Sequence, residues 1–247
     1  LGKPLEIAFL LAPGVPRWLM GDRLRLHQIL TNLLGNAVKF TAKGEVALEI
    51  SWTEEQGRQV LQMAVQDTGP GLDDATLTRL FQPFTQANSH TTRHFGGSGL
   101  GLAISRQLAR GMGGELQASS TIGQGSCFMV RLPLQSSSDA PPTPKRQLGV
   151  VGISSDQPLT RQALHQMVRA VGAEAIDVST SSQPAISARI VDLVTPAAAA
   201  SIWTEHSPDQ GPTLLLTDAK GAAQWRQRTQ QWPMLRVVTR PLTPVSL

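Results

Sequence analysis

A single cysteine, Cys127, stands in 247 residues. A lone thiol excludes an internal disulfide and a cysteine-built zinc site, and it fits a reducing, cytosolic setting. No apolar run approaches the roughly 18 residues of a membrane-spanning helix, and nothing reads as a signal peptide. A basic stripe is also missing, although 22 Lys+Arg face 18 Asp+Glu and the pI is about 9.8. Residues 1–134 hold 12 basic and 10 acidic side chains, residues 148–247 hold 8 and 7, and the stretch between holds 2 and 1. So even a spread lacks the footprint of a nucleic-acid binder, and no nucleic-acid partner is expected. There is no internal repeat. The chain opens on Leu1 rather than Met, at a residue that looks mid-strand, so the expectation is a fragment of a longer protein. What is present is ordinary globular material: 40% hydrophobic and 16% charged residues can bury a core and do not read as disorder.

The clearest boundary is the segment Gln135–Gln147, where Ser136-Ser137-Ser138-Asp139-Ala140-Pro141-Pro142-Thr143-Pro144 reads as an extended, solvated linker. It separates an expected domain at 1–134, truncated at its start, from a smaller one at 148–247, truncated at its end. In the first, Leu26, Ile29, Leu30, Leu33, Ala37 and Phe40 form one side of a helix over 23–40. Arg25, Asn32, Asn36 and Lys39 gather along one flank of that stripe. Alternation of Val46, Leu48, Ile50 and Trp52 with polar or small residues predicts a half-buried strand. A second strand, with Leu61, Met63 and Val65 on one face, runs into Asp67. Asp73 and Asp74 are candidate N-caps of a short helix ending near Leu80. Residues from about Phe81 to Gly99 have no periodicity and read as a long loop. A helix follows over about Leu100–Met112, stopped by Gly113-Gly114. Strands at Glu115–Ser119 and Cys127–Leu132 close the domain through Gly123-Gln124-Gly125. This mixture predicts an α+β layer, helices on one face of a mostly antiparallel sheet. After the linker, strand-like runs at Val150–Ile153, Ala175–Val178, Ile190–Val194, Thr213–Leu216 and Arg236–Val238 alternate with helical stretches at Leu159–Val171 and Ala222–Gln231. That rhythm predicts a parallel sheet.

Four features of the first domain suit nucleotide chemistry, and each also has a bland reading. Asn32 and Asn36 sit one helical turn apart; they are either helix polarity or a place where an amide oxygen reaches a phosphate-bound Mg²⁺, a hard cation that prefers oxygen. Asp67-Thr68-Gly69-Pro70-Gly71 directly follows a strand; it is either a turn or a fixed carboxylate that accepts a hydrogen bond from an exocyclic amine, with glycines letting backbone approach a flat base. Gly97-Ser98-Gly99-Leu100-Gly101-Leu102 opens a helix, where free N–H groups and the helix dipole favour phosphate. A Rossmann turn would need a preceding strand, and a Walker loop would need Lys where Leu102 stands. Gly123-Gln124-Gly125-Ser126, lastly, reads alone as a hairpin turn.

In order and spacing the runs Leu30–Phe40, Asp67–Gly71, Phe81-Gln82-Pro83-Phe84, Gly97–Leu102 and Gly123–Ser126 resemble the five successive boxes of the histidine-kinase catalytic domain, over about residues 5–134. The resemblance implies an ATP-binding α/β sandwich, helices over a mixed sheet, with ATP and Mg²⁺ as cofactors. It implies that Asn36 is the Mg²⁺ ligand, Asn32 its neighbour near the phosphates, Lys39 a phosphate contact and Phe40 a stacking partner of adenine. Asp67 would bind the adenine amine beside Gly69 and Gly71; Pro70 departs from the usual Ile. Residues from about Phe81 to Gly99 would form a mobile lid whose Arg93 approaches the phosphates, with Gly97, Ser98, Gly99, Leu100, Gly101 and Leu102 at the phosphate turn. Related hydrolases on this fold carry Glu one turn before the metal-binding Asn as a general base. Here that place is Asn32, which cannot take a proton, so transfer to a protein side chain is expected, driven by positioning and charge neutralisation. The acceptor would be a histidine on a dimerisation domain outside this sequence; His27, His90 and His94 read as ordinary helix or loop residues. Further implied are a homodimeric full-length protein in the bacterial inner membrane with this portion cytoplasmic, and a response regulator or phosphotransfer domain as partner. An ATPase on the same fold and a nucleotide-binding regulatory pseudokinase remain the rivals.

The second domain resembles a response-regulator receiver, a flavodoxin-like α/β fold, more weakly. Asp192-Leu193-Val194-Thr195-Pro196 matches the phosphoacceptor Asp with its Pro, Thr217 the hydroxyl ending the fourth strand, and Arg240-Pro241 stands for Lys-Pro. Of the acidic pair that would hold Mg²⁺ only Asp156 remains, beside Ser155. Arg for Lys is not a conservative change at a tight phosphate site. The expectation is a degenerate, regulatory receiver, with acceptance of phosphate on Asp192, a nucleophile, as the alternative.

Overall fold

The protein is described by a computed structural model. It describes residues 3–84, 99–137, 148–178, 185–193, 211–228 and 232–240. The chain divides into two compact units, residues 1–6 with 12–141 and residues 7–11 with 142–247. The division falls within the Pro/Ser segment.

The first unit holds α1 (Arg23–Phe40), α2 (Asp74–Arg79) and α3 (Gly101–Gly111) and a five-stranded sheet. Its strands are β1 (Leu5–Leu11), β3 (Gly44–Glu55), β4 (Arg58–Asp67), β5 (Glu115–Thr121) and β6 (Gly125–Pro133), in the order β1-β3-β4-β6-β5. Because its hydrogen bonds run to this sheet, β1 is described with it. The β3–β4, β4–β6 and β5–β6 pairs are antiparallel. Gln135 and Ser136, expected to open the linker, instead form β7 and pair with β2 (Leu19–Met20).

The bounds of α1 follow from local chemistry. Asp22 caps its start by accepting from the Arg25 N–H at 3.1 Å. At its end the Lys3 ammonium donates to the carbonyls of Val38, Lys39 and Thr41, supplying positive charge where the helix dipole is negative. Ile29, Leu33 and Ala37, spaced by four, are its buried stripe. They pack over a sheet whose core includes Val46, Leu48, Met63, Val65, Val130 and Leu132. Phe40, expected on the buried side, is 44% exposed. It is the last helical residue, where the chain turns into an extended Thr41, so it sits beyond the reach of the sheet-facing stripe. Alternation in β3 is also broken, since Ala47 is buried between Val46 and Leu48. Of the two candidate caps of α2, Asp73 serves, accepting from the Thr76 N–H at 2.6 Å.

The second unit is a parallel sheet of β8 (Leu148–Ser154), β9 (Ala173–Asp177), β10 (Ala188–Asp192), β11 (Thr213–Thr217) and β12 (Leu235–Thr239), with α4 (Pro158–Ala170) and α5 (Ala219–Arg228). Within the unit the strand order is 2-1-3-4-5, a doubly wound order whose switch point lies between its first and third strands. Pro158 pre-sets the first turn of α4, which buries Ala163, Leu164, Met167 and Val168. Val191, Leu193, Leu215, Trp225 and Leu235 form a second cluster.

Candidate functional site

Two of the glycine motifs prove to be one structure. The loop after β4 lies on the β5–β6 turn: the Gly123 N–H donates to the Pro70 carbonyl at 2.8 Å and the Leu72 N–H to Ser120 Oγ at 2.8 Å. Gly71, at φ +71, faces the Thr121 carbonyl, 2.1 Å from where a Cβ would stand, and a Cβ on Gly125 would be 1.8 Å from the Asp67 carbonyl oxygen. Neither position admits a side chain, so the two turns are locked together and Asp67 is held at the end of its strand. The Gly69 N–H donates to Asp67 Oδ1 at 2.9 Å. Partial burial pushes the Asp67 carboxyl above the usual carboxylate range, and the N–H groups of Gly69 and Ser126 pull it back only in part.

Asp67 lies beside the end of α1. A point over Gly69 is 2.8 Å from Asp67 Oδ1, 3.2 Å from Thr41 Oγ1 and 3.6 Å from the Phe40 carbonyl oxygen. The exposed Phe40 ring carries the Lys39 ammonium 4.9 Å from its centroid, a cation–π contact. Thr41 is fully buried, and sequence reasoning had not singled it out.

Eight residues earlier on the same helix flank, Asn32 meets α3. Its Nδ2 donates to Ser105 Oγ at 2.9 Å, and Ser105 is 1% exposed. A Cβ on Gly101 would lie 2.2 Å from Asn32 Oδ1. Gly101 is therefore required by close approach of a side chain, at an ordinary φ. No side chain caps α3 at Leu100 and no acidic residue occupies its first turn, so its positive end is suited to an anion. Between these ends lies Asn36, half-exposed, its side-chain amide making no hydrogen bond among the described residues. Eight residues of helix separate these two ends by about 12 Å.

The expected loop begins at Phe81, whose ring carries the Arg106 guanidinium at 4.9 Å. Phe84, at φ +64, donates its N–H to the Gly99 carbonyl at 3.2 Å, which ties the two ends of the segment. Arg93, Gly97, Ser98, His90 and His94 lie outside the described residues. Leu102 is half-buried in the first turn of α3. Ser105 and Thr41 were missed because neither belongs to a glycine motif; the only signal for Ser105 was its place one helical turn after Gly101.

In the second unit Asp192 ends β10 and is buried, and Arg240 directly follows β12. Asp156 is exposed after β8. Thr217 ends β11 with its hydroxyl against Gly221 of α5, 2.2 Å from a would-be Cβ. Val194, Thr195, Pro196 and Pro241 lie outside the described residues.

Residues 21–136 match the family model described as histidine kinase-, DNA gyrase B-, and HSP90-like ATPase. Across 96% of its length the chain is 36% identical to the sensor protein TorS of Escherichia coli (strain K12), of which it covers 24%. It is 40% identical over 185 residues, 72% of the chain, to the sensor histidine kinase GacS of Pseudomonas protegens, of which it covers 20%. The chain thus spans a quarter or less of the length of these relatives. The crystal structure of full-length ShkA in complex with AMPPNP matches 98% of the chain and is itself half covered, with TM-score 0.73 and 28% identity. The family model spans the segment that holds Asn36, Asp67 and the glycine turns, and with these relatives it makes residues 21–136 the ATP-binding catalytic domain of a sensor histidine kinase.

Proposed function

We propose that the first unit binds ATP with Mg²⁺ along the exposed flank of α1 and presents the γ-phosphate to a histidine on a dimerisation domain outside this sequence. The observation that carries this reading is that one helix supplies both ends of the pocket. Its C-terminal end stands beside Asp67, and Asn32 meets the start of α3, whose first turn carries no acidic side chain. The Asp67 carboxylate accepts from the adenine amine, and the glycines beside it leave room for the base. Phe40 offers a ring face and Lys39 a charge at the helix end. The open amide of Asn36 fits a hard cation shared with phosphate oxygens. Mg²⁺ supplies charge neutralisation and a fixed phosphate geometry when bound. The N–H groups at the start of α3 donate to the phosphate oxygens, with Gly99, Leu100 and Gly101 in the turn; Arg93, Gly97 and Ser98 are assigned there from the resemblance alone.

Asn32 bears on the rival hydrolase. Its nitrogen holds Ser105 and its oxygen lies against Gly101, so the position of a general base is filled by an amide committed to helix packing. Phosphotransfer by positioning follows, with no built-in activator of water. The second unit is a degenerate receiver-like module in this reading. The full-length protein is a homodimer of the bacterial inner membrane that passes phosphate to a response regulator or phosphotransfer domain.

The test is to mix the purified chain with ATP, Mg²⁺ and a dimerisation domain supplied in trans. Acid-labile phosphohistidine is expected. Steady ATP turnover by the chain alone would favour the ATPase, and ATP binding without phosphohistidine would favour the pseudokinase.

A further inference from the structure

We propose that two side chains of the second unit, Ser155 and Arg240, hold the Asp192 carboxylate closed, so that it takes up neither a divalent cation nor a phosphoryl group. Arg240 then stands where a metal ion would otherwise balance the charge. The inference rests on the receiver-like reading of this unit and supplies the physical reason for its degeneracy.

The three residues come from the C-terminal ends of three strands. Ser155 follows β8, Asp192 ends β10 and Arg240 follows β12. β8 and β10 are neighbours on either side of the switch point, where such sheets leave a crevice for ligands. Here the crevice is filled from within. Asp192 is 3% exposed as a residue and its side chain not at all. Ser155 Oγ donates to Asp192 Oδ2 at 2.8 Å, so one oxygen is engaged from β8. Arg240 Nε lies 3.0 Å from Oδ1, so the other oxygen is ion-paired from β12, by proximity of charge rather than by an aligned hydrogen bond. The same guanidinium donates through Nη2 to the Leu193 carbonyl. To make these contacts Arg240 reaches across the end of β11, and its backbone N–H is fixed to the Thr217 carbonyl at 2.9 Å.

This geometry opposes a divalent cation in two ways. Mg²⁺ demands oxygen ligands at about 2.0–2.1 Å in a near-octahedral set, whereas Oδ2 already accepts from the Ser155 hydroxyl and a fixed positive charge stands against Oδ1. Ser155 also occupies the place where a second carboxylate would complete the set, leaving only the exposed Asp156. A guanidinium does not lose its proton in a protein, and its planar fork fixes its orientation. Arg240 is clamped at Asp192 and at Leu193, so it cannot retreat as a single flexible ammonium can. A buried carboxylate paired in this way needs no metal, and its attacking oxygens are covered.

The test treats the full chain with acetyl phosphate and Mg²⁺ and follows the intact mass. No phosphoryl adduct is expected on the unaltered chain. An adduct there that Asp192→Asn removes would overturn the closure while upholding the receiver-like reading. The double variant Ser155→Asp with Arg240→Lys is expected to gain a Mg²⁺-dependent adduct, again lost with Asp192→Asn. If that variant unfolds at the same denaturant midpoint as the parent yet gains nothing, the receiver-like reading itself fails. Should it not fold, Ser155→Asp alone retains the Arg240 pair and is expected to remain unlabelled. Labelling of that single variant would show that Arg240 does not close the site.

Discussion

Replacing Asp67 by Asn separates the pocket's chemistry from its packing, because the side chain keeps its shape and loses one acceptor and its charge. The carboxylate already takes hydrogen bonds from the backbone N–H groups of Gly69 and Ser126. In the proposed complex it must also accept from the adenine amine. An amide has one oxygen. If that oxygen stays with Gly69, its NH₂ faces the adenine NH₂, donor against donor; if it turns, Gly69 loses its partner. A hydrogen bond to a charged acceptor is worth about 1.5–3 kcal/mol, which at about 1.4 kcal/mol per decade weakens ATP binding about 10- to 150-fold. Folding should respond in the opposite sense. Burial raises the Asp67 carboxyl above its unfolded value. Its favourable contribution to stability is therefore complete below the ordinary carboxylate range and is lost as pH rises through the raised value. At neutral pH the buried charge is a burden, and Asp67→Asn should unfold no earlier than the parent. Titration calorimetry with ATP and denaturant unfolding on the same preparation read both quantities. Parental affinity in the variant would refute the adenine assignment; a marked loss of stability with it would show that Asp67 is a packing residue. For the same reason, ATP affinity in the parent should begin to fall on acidification at a higher pH than an ordinary carboxylate would give.

Asn36→Ala should weaken Mg²⁺–ATP binding more than Mg²⁺-free binding, and equal losses by calorimetry would count against a metal ligand. Gly101→Ala places a methyl 2.2 Å from Asn32 Oδ1 and 2.9 Å from its Cγ. Asn32 must then release Ser105, at about 1–3 kcal/mol for the overpacking. ATP and ADP should bind more weakly while adenosine is unaffected, and equal loss for all three would mean that the pocket as a whole is disturbed. Gly35 sits mid-helix with nothing within 4 Å of a would-be Cβ. Gly35→Ala should therefore stabilise the first unit by about 0.5–1 kcal/mol, read as a raised denaturant midpoint; destabilisation would mean that this face of α1 is not open.

What the sequence determined by itself was local and periodic. The four-residue spacing of Ile29, Leu33 and Ala37, the Asp22 cap and the chain's turn at Thr41 specify α1 from within its own segment. The parallel order of the second unit follows from strands alternating with amphipathic helices such as α4. The nucleotide motifs were legible because glycine, Asp and Asn at those spacings limit what backbone and side chain can do. Tertiary structure decided which residues meet. Asn32 and Ser105 are 73 positions apart, and no periodicity records their hydrogen bond. The reason for Gly101 is likewise a side chain on another helix, and the reason for Gly125 is the Asp67 carbonyl on a neighbouring strand. Phe40 turned outward because the buried stripe ends one turn earlier. A carboxylate at 192 and an arginine at 240 could be read as remnants of a phosphate site; only three strand ends converging in space made them an ion pair. Propensity and periodicity act over a few residues, whereas excluded volume and charge pairing act between whichever atoms the fold brings within contact.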